Sequence, residues 1–191
     1  AGVNVGTCTI NHGTLTAGLN YSIDYTDALF TITEKDLTIT ANSCQSKVYG
    51  ADDPVFTYSA VGVVGADTPS GSLSRVIGED VGTYAIEIGT LTYGSNYSVT
   101  FVPDDFEITA KAITIAANGD QTKVYGSADP VLTFTATGVE DGDTYTGSLS
   151  RAVGEDVGSY SITIGNLSYG SNYTLNFVTN SFVITKKSLT V

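Results

Sequence analysis

Apolar and polar residues alternate along this chain in short runs, and glycine-rich segments separate the runs. Tyr84, Ile86 and Ile88 share one parity in TYAIEI, as Tyr97, Val99 and Phe101 do in YSVTFV. A period of two puts such side chains on one face of a β-strand. VFTYSA from Val55, FEIT from Phe106 and AITIAA from Ala112 extend the pattern, and VGVVGADTPSG and VIGEDVG read as loops. No comparable stretch keeps a helical period, so the pattern predicts an all-β, mainly antiparallel fold.

The pattern is written more than once. KVYGADDPVFTYSAVG at Lys47 returns as KVYGSADPVLTFTATG at Lys123, and GSLSR, GEDVG and YGSNY return at the same spacing of 76 residues. From Lys47 to Lys111 roughly 60% of positions are identical in the second copy, which marks a tandem repeat. Residues 1–35 match the back half of a repeat, since LTAGLNYSIDYTDALFTITEK at Leu15 aligns with LTYGSNYSVTFVPDDFEITAK at Leu91. Ser188, Leu189, Thr190 and Val191 match the first strand of another. The expected organisation is a half-repeat (1–35), whole repeats at 36–111 and 112–187, and a strand stub at 188–191.

Parity also locates the joints. Phe106 and Ile108 are even and Ile113 and Ile115 odd, so the inward face switches at Lys111; the same switch occurs at Lys35 and near Lys187. With no linker between them, the modules are expected to form an elongated rod.

Each repeat carries its own corners. In KVYGADDP, Pro54 biases Asp53 to extended backbone and Gly50 permits a turn. Asp80, Gly82 and Tyr84 match the tyrosine corner of immunoglobulin-like sandwiches, where a phenol hydroxyl ties a loop to the backbone. Taken together, Lys47-Val48-Tyr49-Gly50 with Asp53-Pro54, then GSLSR, GEDVGTY, GTL and NYSVTFV…FEITAK, resemble the MBG domain of YGX type. The second copy repeats these motifs from Lys123 to Lys186, with GNL for GTL. The resemblance implies a non-catalytic module of large secreted or cell-surface, adhesin-like bacterial proteins, small and β-grasp-like. The corner motif points instead to an immunoglobulin-like sandwich, and both topologies stay open.

Charge narrows the partners. The formal charge is −12, and the eight basic residues are scattered, with only Lys186 and Lys187 adjacent. Nucleic acid and anionic lipid both need clustered Lys and Arg, so neither is expected as a partner. No apolar run is long enough to insert in a membrane as a helix. The expected setting is extracellular or at the cell surface, with copies of the chain, adjacent repeats, a glycan or a surface receptor as partners. His12 is the one histidine and has no triad or zinc partners nearby in sequence, so no enzyme is expected. Glu140, Asp141 and Asp143 crowd carboxylates around Gly142 and are candidate calcium ligands. The tyrosines of TYGSNY offer a surface for stacking on sugars, against cross-strand packing as the alternative.

Two departures from the repeat stand out. Cys8 replaces the tyrosine of the whole repeats, and Cys44 stands where the second copy has Asp120. As the only two cysteines, they are expected to form a disulfide in an oxidising compartment. The apolar stub Ser188–Val191 is expected either to be part of a longer array or to add as a strand to the head of another copy, building a filament.

Overall fold

The computed structural model describes residues 4–191. They form strands, turns and bends, with no helix among them. The strands are β1 (Gly6–Ile10), β2 (Ala28–Ile32), β3 (Lys35–Ala41), β4 (Gln45–Val48), β5 (Tyr58–Val61), β6 (Ser74–Arg75), β7 (Gly82–Glu87), β8 (Tyr97–Val102) and β9 (Asp105–Thr109). The second repeat supplies β10 (Lys111–Ala117), β11 (Gln121–Val124), β12 (Phe134–Thr137), β13 (Ser150–Arg151), β14 (Gly158–Thr163), β15 (Tyr173–Val178) and β16 (Ser181–Thr185). The chain divides into two compact units whose sequences interleave. One holds the described residues up to Gln45 with Val55–Ile77 and Tyr84–Phe106; the other holds Ser46–Pro54, Gly78–Thr83 and Glu107–Val191.

In the second unit, the strands of the later repeat make two sheets, ordered β12-β10-β15 and β11-β16-β14-β13. Both line one core. Ile113, Ile115 and Ala117 come from the first sheet and Ile162, Phe182 and Ile184 from the second, with Leu149, Leu167 and Tyr173 closing the ends. Each such aliphatic or aromatic side chain contributes about 1.5–3 kcal/mol on leaving water. Two sheets thus face one another across a shared core.

The sheets are not purely antiparallel. β10 runs parallel to β15, and β11 parallel to β16. The first two strands of a repeat lie beside its last two, and a parallel pair needs a long crossover, which the rest of the repeat supplies. Alternation along one strand carries no information about this pairing direction.

In the first unit, the sheet β5-β3-β8 repeats the same register. Ile39 lies between Ala60 and Phe101, as Ile115 lies between Ala136 and Phe177. The switch of face is present: Phe106 and Ile108 are buried, then Ile113 and Ile115. Among its described residues, the half-repeat forms the antiparallel pair β1–β2, and all of β1 is exposed.

Candidate functional site

The motifs written in both repeats meet in a charged cluster. In the later copy, the Lys123 ammonium lies 2.6 Å from Asp129 and 2.5 Å from Glu155. The Arg151 guanidinium lies 2.7 Å from each of the same two carboxylates and donates to the Gly154 carbonyl at 2.6 Å. It also covers the rings of Tyr160 and Phe182, each with its centroid 5.2 Å away. KVYG, the Asp-Pro corner, GSLSR and GEDVG thus join through Lys123, Asp129, Arg151 and Glu155. Next to the cluster, the Tyr160 hydroxyl donates to the Asp156 carbonyl at 2.7 Å, which is the expected tyrosine corner. Gly154 is required there: at φ +153°, a Cβ would sit 2.2 Å from the Tyr160 ring.

Charge is held in this cluster, not exchanged. Hydrogen bonds from Arg151, then Lys123, hold the Asp129 carboxyl down to about 2. Glu155 is lowered by Lys123 and Arg151, and Lys123 is raised by Asp129 and Glu155. A general acid or base works best with a pKa near neutrality, and these groups are driven away from it. In the earlier copy Lys47 pairs with Asp53 at 2.7 Å and with Glu79.

A second constellation lies where one repeat follows another, and its contacts fall within single compact units. The Asn172 side chain accepts the Val81 N–H at 2.9 Å and donates to Asp80 at 2.8 Å. Its backbone carbonyl accepts the Lys111 N–H at 2.9 Å. One asparagine in the later repeat therefore holds the Asp80–Val81 segment of the earlier one together with Lys111, where the two repeats meet. Asn96 does the same for the half-repeat: it accepts from Val5 and Lys35 at 2.9 Å each and donates to Asn4 at 3.1 Å. Both asparagines precede a buried tyrosine that starts a strand, Tyr97 in β8 and Tyr173 in β15.

That tyrosine anchors the loop beside it. The Tyr173 hydroxyl donates to Asp143 at 2.5 Å and accepts the Glu140 N–H at 2.9 Å. Burial, followed by the bond to Asp143, pushes its pKa up to about 12. Tyr49 reaches the same carboxylate at 2.9 Å and stands edge-on to Tyr173, with ring centroids 5.3 Å apart. Lys111 pairs with Glu140. Gly50 has φ +82°, and a Cβ on it would come within 2.2 Å of the Glu140 carboxylate. The Tyr-Gly pair that opens each repeat is therefore met, in the first copy, by the acidic loop of the second.

The family model for the MBG domain (YGX type) matches residues 37–107 and 113–183. The chain belongs to the MBG domain family of YGX type. No curated protein matches it. In the first of these MBG repeats, Tyr49 and Gly50 serve the junction, while the neighbouring Lys47 serves the charged cluster.

The other sequence expectations fall as follows. Glu140 and Asp143, named as calcium ligands, are engaged by Lys111 and by the Tyr49 and Tyr173 hydroxyls, and Asp141 is exposed. Among the described residues, no group of three or more His, Cys, Asp or Glu is placed to hold a metal. Cys8 and Cys44, expected to be joined, are both free and exposed in the structure. Each has a local setting: Cys8 lies opposite Phe30 on β1, and Cys44 takes the left-handed turn position (φ 61°) that Asp120 takes in the later copy (φ 58°). Tyr93 and Tyr169 pack edge-on against Tyr97 and Tyr173. Leu189 and Val191 of the tail are exposed, whereas Leu37, Ile39, Ile113 and Ile115 at the matching positions are buried. The asparagine junction is not legible from sequence, where its one signal is the unchanged YGSNY of both repeats.

Proposed function

We propose that this chain is a non-catalytic part of an adhesin-like repeat array outside the cell, in which MBG repeats act as structural and spacing units. The observation that carries the reading is the asparagine junction: Asn96 and Asn172 make the same three bonds to the segments before them. A repeat whose side chains are devoted to fixing its neighbour is suited to building an array. Localisation tests the setting. An antibody to these repeats should label intact cells of the source, and external protease should remove the signal; label seen only after lysis would contradict the proposal.

Within this reading, Ser188–Val191 serve as the first strand of a following MBG sheet, either within one array or as a strand donated from one copy to the next. The register follows from β3 and β8, where Leu37 faces Val99 and Ile39 faces Phe101. In a donated strand, Leu189 would face Ile23 and Val191 would face Tyr25. Sedimentation at rising concentration tests the donated form. Donation predicts end-to-end oligomers that vanish when Ser188–Val191 are deleted; a chain that stays monomeric, or oligomers that survive the deletion, would exclude it.

A further inference from the structure

The end of the second repeat presents, uncovered, the groups that are covered at the end of the first. Val157, Asp156 and Lys187 stand 76 residues after Val81, Asp80 and Lys111, the three residues that Asn172 binds. No asparagine among the described residues plays that part for them. They border, with Tyr125 and Lys186, a shallow groove of about 340 Å³. Tyr125 is 48% exposed and Val157 also 48%, while Tyr49 and Val81 at the matching places are partly buried. Gly126 repeats the φ of Gly50, +82°, yet a Cβ there would meet nothing within 4 Å.

We propose that this groove is a docking site for the Gly-x-Asn-Tyr hairpin of a further whole MBG repeat. The inference rests on the array reading and names the surface that continues the array. The asparagine would accept the Val157 N–H with its side-chain oxygen, donate to the Asp156 carboxylate and accept the Lys187 N–H with its carbonyl. An acidic loop like Glu140–Asp143 would then meet Tyr125, Gly126 and the paired ammonium groups of Lys186 and Lys187. That loop decides between occupants. A whole repeat carries both parts, as Asn172 and the Glu140–Asp143 loop do in the second copy, and is therefore the occupant.

The test extends the chain after Lys187 with a second copy of residues 112–191 and follows amide hydrogen exchange at Val157. Docking predicts exchange at Val157 slowed by about tenfold or more relative to the unextended chain. Replacing the added asparagine with alanine should restore fast exchange, while the added counterpart of Ile115 reports that the new repeat is still folded. Should that variant fail to fold, Asp156→Ala removes the carboxylate and leaves the backbone carbonyl that Tyr160 uses; it should also release Val157. Unchanged exchange in the extended chain would overturn the proposal. Equal protection from an unrelated β-sandwich fused at the same point would also overturn it, as would protection in the unextended chain that grows with concentration. Any of these failures leaves the surface localisation of the array to its own test.

Discussion

Tyr21–Thr26 and Tyr173–Val178 are written in one pattern, YSIDYT against YTLNFV, and only the second is a strand. Tyr21 is 76% exposed, whereas Tyr173 is 8% exposed at the matching position. The difference lies in what pairs with each segment. β15 pairs in parallel with β10, the first strand of its own repeat, and β8 pairs likewise with β3. Among the described residues no strand pairs with Tyr21–Thr26, so the segment has no ladder to join. Alternation specifies which face a segment would bury; a neighbouring strand decides whether it becomes a strand at all.

The sharpest way to press this comparison is through the shared partner. Ile115→Ala on β10 should cost about 2–5 kcal/mol, because it leaves a cavity between both sheets. Ile23→Ala in the half-repeat should stay within about 0.5 kcal/mol, as for a surface site. Chemical denaturation of both variants reads the contrast, and equal losses would break it.

A smaller effect separates the asparagines. Asn172→Ala removes both side-chain bonds to the earlier repeat and should cost about 1–3 kcal/mol. Asn20→Ala should be close to neutral in thermal melts, since Asn20 is exposed.

The completed repeat should also carry pH dependence that the half-repeat lacks. Asp129 is lowered from 3.8 to about 2, so its contribution is present above the unfolded value and lost as pH falls through about 2. Tyr173 is raised from 10.0 to about 12, so its contribution is full below pH 10 and lost as pH rises through about 12. NMR titration of the Asp129 carboxyl with a midpoint near 4 would remove the acid arm of this argument.

The smallest effect concerns a turn. Cys44 holds a left-handed conformation that suits glycine, and Asp120 does so at the matching position. Cys44→Gly should raise stability by about 1 kcal/mol. A loss on substitution would point to a role for the thiol beyond the turn.

Much of the fold was legible because it is local. The parity change from Phe106 and Ile108 to Ile113 and Ile115 needs only alternation, and the corner from Tyr160 to Asp156 spans four residues. The parallel pairing of β10 with β15 was not legible, since it joins segments about a repeat apart and leaves no trace in either strand. The site divides the same way. Lys123, Asp129, Arg151 and Glu155 lie in motifs that the sequence displays, but their convergence depends on the folded sheet. The role of Asn172 was not legible, because its side-chain partners, Asp80 and Val81, belong to the previous repeat. The two cysteines drew a pairing from their coincidence, although Cys44 already has a place in its turn.

Amide hydrogen exchange along the dilute chain tests most directly the claim that a repeat is completed by its first strand. The account predicts slow exchange in the laddered stretch Thr174–Phe177 and near-unprotected exchange at Ser22–Tyr25. Comparable protection in both stretches, under conditions where the chain is monomeric, would contradict it.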